Sequence, residues 1–209
     1  MKIISPSFEI LTDVNGEEML RFIERIGRVC YKSEDRITRD SSRAFVKAII
    51  KSGHESVLEH AVITVRFICD RGVSHEIVRH RIASYSQEST RYCNYSCDNF
   101  GNELTFIRPY FWKYGTQEYS RWSHEMQNIE TLYMQLMRTG NKPQEARAIL
   151  PNSLKTELVM TANLREWRHF LRLRTASDAH PQMREIAIPL LEEFKKLVPV
   201  VFDDVSCDR

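Results

Sequence analysis

The sequence predicts an α+β protein, a single helix-rich catalytic domain over residues 1–209 with a small sheet of three or four strands. Apolar residues recur at helical spacing in several long segments, whereas alternation of apolar and polar residues is confined to short runs. The chain is long enough to bury one core. Only 7 glycines and 7 prolines occur, and no low-complexity linker or internal repeat divides the chain.

The first half begins with a short extended segment over the first ten residues, followed by two helices. An apolar stripe predicts the first helix; it consists of Met19, Phe22, Ile23, Ile26, Val29 and Cys30. Ser41 or Ser42 can cap the second helix, and Gly53 supplies its stop signal. Alternating side chains around residues 62–69 then predict a strand, and Asp70 can cap a helix over about residues 73–82.

The second half contains a predicted strand at residues 104–107 and a long helix that ends at Gly140. This helix carries a heptad-like seam of Tyr119, Trp122, Met126, Ile129, Tyr133 and Leu136, which predicts packing against the core or against a symmetry-related subunit.

Three further elements complete the second half. Pro143 opens a short helix, and residues 157–161 alternate weakly, as in a strand. Asn163 occupies a cap position before the next helix, and a last helix over about residues 181–198 should kink at Pro189.

Composition narrows the functional class. The net charge of +2 is close to neutral, so bulk charge does not favour a nucleic-acid partner. We expect no leader peptide, because the first residues lack a charged-then-apolar pattern, and no apolar run approaches the ~20 residues needed to cross a bilayer. The five cysteines are odd in number and lack paired spacing, which favours a reduced compartment. We therefore expect a cytoplasmic protein without membrane association.

Residues 79–92 form the most informative stretch of the chain. It holds three arginines, a histidine and several hydroxyl-bearing residues, but only two aliphatic side chains. Guanidinium groups match phosphate oxygens with planar paired donors, and hydroxyl groups add short-range donors. A solvated basic loop is the simpler alternative, in which Arg79 and Arg81 would only stabilise a helix C-terminus. The pattern favours an anion site.

Histidine-rich segments raise the alternative of a metal site. His54 and His60 flank two glutamates but stand six residues apart, whereas a helical zinc pair needs a spacing of four. His75 and His80 are five apart, and no cysteine cluster completes a ligand set. We expect no metal.

The spacing within residues 79–92 is similar to the signature of the flavin-dependent thymidylate synthases. In that signature Arg79, His80 and Arg81 are followed by seven residues and then Ser89. Three other segments resemble the same family: residues 54–60, Arg147 with Pro151, and residues 163–174. The resemblance extends over about residues 54–186.

The chain also departs from the family pattern. Residues 179–183 read Ala-His-Pro-Gln-Met, where the family often has Ala-Gln-Trp-Glu-Ile. His169 stands where Asn is common, and Gln87 where Glu is common. We expect these departures to affect flavin contacts more than the activity.

The resemblance implies the reductive methylation of dUMP to dTMP. Methylenetetrahydrofolate would supply the carbon, FADH2 the hydride, and NADPH the electrons that reduce the flavin again. It also implies the family's fold and a homotetramer whose active sites are shared between subunits.

The resemblance assigns residues to each ligand. The residues implied for dUMP are Glu76, Arg79, Gln87, Glu88, Ser89, Thr90, Arg91, Arg147 and Arg174. Those implied for FAD are His54, Ser56, Arg79, His80, Arg81, Gln87, Asn163, Arg165 and His169. Arg174 is the implied catalytic residue, because a fixed cation at the uracil N3/O4 edge would stabilise negative charge on the ring.

Other functions compete with this interpretation. The motif and its tyrosines could bind nucleic acid, or the protein could be a flavoprotein with another electron acceptor. Ser89 or Cys93 could be a nucleophile, but a serine needs a placed base, and a partly buried thiol is usually inert. Since the chain lacks a Gly-x-Gly-x-x-Gly motif, a Rossmann site for FAD is excluded.

Overall fold

The computed structural model describes residues 1–207 and confirms the α+β class. The helices are α1 (Gly16–Val29), α2 (Ser41–Lys51), α3 (Arg71–Ile77), α4 (Gln117–Arg138), α5 (Pro143–Ala146), α6 (Leu164–Arg174) and α7 (Pro181–Leu197). The strands are β1 (Lys2–Ile4), β2 (Ser7–Ile10), β3 (Val62–Asp70), β4 (Ala83–Gln87), β5 (Thr105–Ile107) and β6 (Lys155–Asn163). None of the described helices is both long and apolar enough to span a bilayer.

The strands form two sheets, where a single sheet was predicted. The larger has the order β2-β3-β6-β4, and the smaller pairs β1 with β5 in parallel, with Ile3 opposite Phe106. The predicted helix over residues 73–82 is wrong at its end, because α3 stops at Ile77 and the Arg-His-Arg triplet lies outside it. The hydroxyl group of Tyr85 donates to the Ile77 carbonyl at 3.0 Å, which satisfies a helix-end acceptor from β4.

The chain divides into two compact units. The first unit comprises residues 1–7, 67–79 and 85–159, and the second comprises residues 8–66, 80–84 and the described residues from 160 onward. Strands β3 and β6 each contribute residues to both units. The single catalytic domain remains a prediction.

The core of the first unit forms around α4. Its buried residues are Tyr95, Leu104, Phe106, Met126, Tyr133, Ala146 and Leu154. The α4 seam supplies two of these, and Trp122, Ile129 and Leu136 pack against the same cluster. These seam residues therefore make the predicted core contact within the chain, and packing against a symmetry-related subunit stays a prediction.

The core of the second unit contains an aromatic stack between α6 and α7. Trp167 meets Phe170 and Phe194 edge to face, with ring centroids 5.5 and 5.2 Å apart. The Trp167 indole N–H donates to the Ile63 carbonyl at 3.0 Å, so this buried donor is satisfied. Helix α7 continues through Pro189, where a kink was predicted.

A buried arginine ties the last described residues to the second unit. Arg168 is 0% exposed, and its guanidinium donates to both carboxylate oxygens of Asp204, at 2.6 and 2.8 Å. It also donates to Glu55 Oε1 at 3.0 Å and to the Val201 carbonyl. These acceptors compensate for burying the charge.

Candidate active site

Two strand-to-helix corners, one at Asp70 and one at Asn163, have similar geometry and lie near candidate site residues in the sequence. At the end of β3 the Asp70 carboxylate accepts from the Val73 N–H at 2.8 Å, and at the end of β6 the Asn163 amide oxygen accepts from the Glu166 N–H at 2.9 Å. Both cap residues have φ −76° and ψ 166°. Since each side chain satisfies a helix N-terminal donor, both predicted caps are confirmed.

In the first unit, the amide of Gln87 has a fixed orientation. Ser74 donates its only hydroxyl hydrogen to the Arg71 carbonyl at 2.9 Å, so it must accept from Gln87 Nε2, also at 2.9 Å. Thr156 Oγ1 lies 3.3 Å from the same nitrogen. Both amide hydrogens are therefore directed into the protein, which leaves the carbonyl oxygen as the acceptor that Gln87 can offer a ligand.

The carboxylate of Glu88 is held inside the same unit. It accepts from the Tyr95 hydroxyl at 2.6 Å and from Lys155 Nζ at 2.8 Å, and Lys155 also pairs with Glu157 at 2.7 Å. Burial, with the neighbouring Glu88 charge, raises the pKa of Tyr95, so its hydroxyl stays protonated. Burial opposes charge on Lys155, but its bonds to the two carboxylates raise its pKa. The Glu88 side chain therefore supports the adjoining loop.

That loop presents the predicted phosphate-binding groups. Ser89 Oγ accepts from the Arg91 N–H at 3.3 Å, which leaves the hydroxyl hydrogen for a ligand oxygen. Thr90 is buried, and the exposed guanidinium of Arg91 lies 5.2 Å from the centroid of the Tyr92 ring. Burial, reinforced by the nearby Glu88 charge, raises the pKa of the Cys93 thiol and disfavours the thiolate.

The other residues predicted for dUMP are placed in the first unit, apart from Arg174. Glu76 is half-buried on α3, and Arg79 is exposed just beyond it. Arg147 is exposed in a short 3₁₀ turn, Arg147–Ile149. The first unit therefore contains Glu76, Arg79, Gln87, Glu88, Ser89, Thr90, Arg91 and Arg147.

The second unit contains a pocket lined by three of the residues predicted for FAD, namely His54, Ser56 and Arg165. Its volume is about 360 Å³, and Tyr31 and Phe45 add aromatic walls. Arg165 pairs with the exposed Glu59 at 2.5 Å. A cation, a hydroxyl group and ring surfaces together suit a ligand that carries both phosphates and aromatic rings, and FAD has this chemistry.

His80 links Arg174 to Glu166 in the second unit. The Arg174 Nε–H donates to His80 Nε2 at 3.1 Å, and His80 Nδ1 lies 3.3 Å from Glu166 Oε1. His80 is 4% exposed, and burial, with the charge of Arg174 and the neighbouring His169, lowers its pKa to about 4. Burial raises the pKa of Glu166. His80 was predicted to contact FAD, but its ring makes these protein contacts.

The same cluster has the composition of a metal site. One ligand atom each from His80, Glu166 and His169 lie within 4.8 Å of one another. A metal on His80 would need the Nε2 lone pair that accepts from Arg174, or displacement of the hydrogen on Nδ1, and it would lie beside a guanidinium. These contacts favour hydrogen bonding over metal binding, and the absence of a metal stays a prediction.

Three more predicted flavin residues lie in the second unit. Arg81 and His169 are exposed and could meet a ligand. The side-chain oxygen of Asn163 already serves as the α6 cap, so its remaining side-chain donor is the NH2 group. Arg79 and Gln87, also predicted for FAD, are in the first unit.

Comparisons with known proteins decide the family. The family model described as thymidylate synthase complementing protein matches residues 11–200. A relative from Pyrococcus abyssi, named flavin-dependent thymidylate synthase, is 39% identical over 166 residues, which cover 79% of this chain and 67% of the relative. One of the same name from Corynebacterium efficiens is 33% identical over 216 residues, covering 94% and 83%. The chain belongs to the flavin-dependent thymidylate synthase family.

A solved structure supports the same fold for this member of the flavin-dependent thymidylate synthase family. It is the UMP/dUMP methylase PolB from Streptomyces cacaoi, bound with 5-Br dUMP. The TM-score is 0.78 at 24% identity, over 97% of this chain and 96% of the other. The likeness covers both compact units.

Several residues that shape these sites were missed by sequence reasoning. Lys155 and Tyr95 hold Glu88, and Ser74 and Thr156 orient Gln87. Glu166 was read only as part of a helix start. Its position three residues after the cap residue Asn163 could have drawn attention to it. A glutamate at that position can bond to a side chain outside its helix, as Glu166 does to His80.

Proposed function

We propose that this protein methylates dUMP at C5 to form dTMP, with methylenetetrahydrofolate as the carbon donor and a flavin as the reductant. The observation that carries the proposal is the placement of Arg174: in a chain of this family, its guanidinium is fixed through Nε by a neutral buried ring. A cation held this way is preorganised to stabilise an anion.

Arg174 is the catalytic residue in this proposal. Uracil C5 is a poor nucleophile until negative charge on the ring is stabilised. A guanidinium at the N3/O4 edge stabilises that charge more in the transition state than in the ground state, which accelerates the chemical step. Because His80 already holds Nε, little reorientation of the guanidinium is needed as the charge develops.

The residues of the first unit bind and orient the nucleotide. Arg79, Arg91 and Arg147 are exposed cations suited to the monophosphate, and the Ser89 hydroxyl adds a donor. The carbonyl oxygen of Gln87 would accept from the deoxyribose hydroxyl or from a ring N–H of dUMP. Glu88 keeps the loop in place from beneath, and Glu76 and buried Thr90 complete the set that the resemblance implies.

The residues of the second unit hold FAD. His54, Ser56 and Arg165 line the pocket and would hold the phosphate and ring groups of FAD, and Arg81, His169 and the Asn163 NH2 group would add donors. When bound, FAD supplies the hydride, and NADPH recharges it. The protein's own contribution is to orient the ligands and exclude water.

We also expect a cytoplasmic homotetramer in which a neighbouring subunit completes each site. The resemblance supports this, and the α4 seam adds no support, because five of its six residues pack in or against the core of the first unit. Sedimentation should give a tetramer, and specific activity should fall on dilution below the dissociation range. A monomer with full activity would contradict shared sites.

The test of the activity separates it from its rivals. The purified protein should be yellow, or turn yellow with added FAD. Anaerobic mixing of the reduced protein with dUMP and methylenetetrahydrofolate should oxidise the flavin and yield dTMP by mass spectrometry. A flavoprotein that forms no dTMP would be a different oxidoreductase, and a protein that binds DNA but no flavin would favour the nucleic-acid alternative.

A further inference from the structure

We propose that Glu166 and His80 are positioning residues for Arg174: the Glu166 carboxylate fixes the hydrogen of His80 on Nδ1, so that Nε2 stays available to hold Arg174. This inference rests on the proposed function for the role of Arg174. It assigns His80, expected to contact FAD, and Glu166, for which no role was expected, to the orientation of the catalytic guanidinium.

The first step concerns hydrogen-bond direction. A guanidinium can only donate, so the 3.1 Å contact from Arg174 Nε requires a lone pair on His80 Nε2. The ring must then carry its hydrogen on Nδ1, which lies 3.3 Å from Glu166 Oε1. The Glu166 carboxylate can accept this hydrogen, so both contacts of the ring favour the tautomer with the hydrogen on Nδ1.

The second step concerns burial. His80 and Glu166 are 4% and 8% exposed, so water does not readily replace either contact. Phe170 and His169 both meet the His80 ring edge to face, with ring centroids 4.8 and 5.5 Å away. The His80 ring is therefore restrained by two neighbouring rings as well as at both nitrogens, and Arg174 has a rigid acceptor.

The third step concerns charge. The three hydrogen-bonded groups are an anionic carboxylate, a neutral ring and a cationic guanidinium. The negative charge at one end is therefore balanced by the positive charge at the other. A second proton on the ring would place a donor against the Arg174 Nε–H and two cations side by side. A metal ion on either nitrogen would break one of the two contacts.

The direct test determines which nitrogen of His80 carries the hydrogen. Nitrogen-15 NMR of histidine-labelled protein distinguishes Nδ1–H from Nε2–H, and comparison with His80→Gln assigns the His80 signals among the 7 histidines. We expect Nδ1–H at neutral pH. An Nε2–H tautomer, a doubly protonated ring, or stoichiometric zinc in the purified protein would overturn the inference, whatever the activity.

The kinetic test uses graded variants. Glu166→Gln keeps an acceptor oxygen for Nδ1–H and should retain most of the rate, whereas Glu166→Leu should slow dUMP-dependent flavin oxidation ~10–100-fold, the usual range for a lost orienting partner. His80→Gln offers an oxygen to Arg174 and an NH2 group to Glu166, so its rate of flavin oxidation should be higher than that of His80→Leu. The dissociation constant for dUMP should change less than the rate.

The matched control is Glu24→Leu. Glu24 is also a buried carboxylate of the second unit, but it pairs with Arg28 at 2.8 Å. This variant should lose stability and keep its rate. If Glu166→Leu matches it in rate, the positioning role is wrong. If the wild-type protein makes no dTMP, the proposed function fails, and the NMR result alone still decides the tautomer.

Discussion

The corner at Asp70 and the corner at Asn163 begin alike and end differently. Each places a capping residue with the same backbone angles between a nine-residue strand and a helix. Helix α3 is short and leads to Arg79, which is exposed to solvent. Helix α6 runs on to Arg174, which is half-buried and bound to a ring nitrogen of His80.

Under the proposed function, the same local structure positions an arginine for two different roles. Arg79 offers charge with freedom to adjust, which suits a phosphate whose oxygens are equivalent. Arg174 offers charge in one orientation, which suits a planar ring edge. The two arginines should therefore differ in how well lysine replaces them.

The largest effect is expected at Arg174. Lysine keeps the charge there but loses the planar fork, so Arg174→Lys should fail nearly as badly as Arg174→Ala. We expect a ~100–1000-fold slower single-turnover oxidation of reduced flavin with saturating dUMP and methylenetetrahydrofolate. Flavin content should stay near that of the wild type. A wild-type rate in Arg174→Ala would show that the residue only binds.

At Arg79 the loss should appear in binding. Arg79→Ala should weaken nucleotide or flavin binding by about 1.5–3 kcal/mol, the value of a charge-assisted contact, and Arg91→Ala should behave similarly. Arg79→Lys should recover much of the affinity. Calorimetry measures both, and unchanged isotherms for the two alanine variants would remove these arginines from the site.

A smaller effect is expected beneath the motif loop. Tyr95→Phe removes one donor to the Glu88 carboxylate but leaves Lys155 in place, so the free energy of unfolding should fall by about 1.5 kcal/mol. Urea denaturation measures it. Tyr92→Phe is the matched control, because Tyr92 is exposed. Equal stability of both variants would mean that the Tyr95 bond contributes little.

The two helix caps should contribute nearly equally to the free energy of unfolding. Asp70→Ala and Asn163→Ala should each lower the free energy of unfolding by about 1 kcal/mol, because each frees one helix N–H. A loss at Asn163 several times that at Asp70 would show that this side chain does more than cap α6. Parallel thermal melts of the two variants provide the comparison.

The smallest effect is the contribution of His80 to the pH dependence of stability, which appears only below neutral pH. The pKa of His80 is about 4 in the fold against an ordinary 6.5, so between these values the unfolded chain binds more protons, and stability falls as pH falls. His80→Gln should flatten that loss. Because Glu166, His169 and Arg174 also face the ring, and burial raises the pKa of Glu166, the observable is the difference between wild type and variant. Parallel curves would contradict the lowered pKa.

Local sequence signals predicted the elements but not the contacts between distant segments. Both caps, the long α4 and the family motif follow from spacing within about ten residues. Strand β4 was missed because its serines and glutamine have weak strand propensity, and its place depends on pairing with β6. The bond between His80 and Arg174 joins residues 94 apart in sequence, beyond the reach of any periodicity.

The anchoring of Asp204 by Arg168 bears on how the protein can be shortened or extended. Glu55, the other carboxylate on that guanidinium, stands between His54 and Ser56 in the pocket wall. A truncation before Val201 would remove the Val201 and Asp204 acceptors and leave the buried Arg168 guanidinium with the Glu55 carboxylate, next to His54 and Ser56. A search for a minimal active form should therefore keep residue 204, and a C-terminal fusion partner needs a spacer that leaves this carboxylate in place.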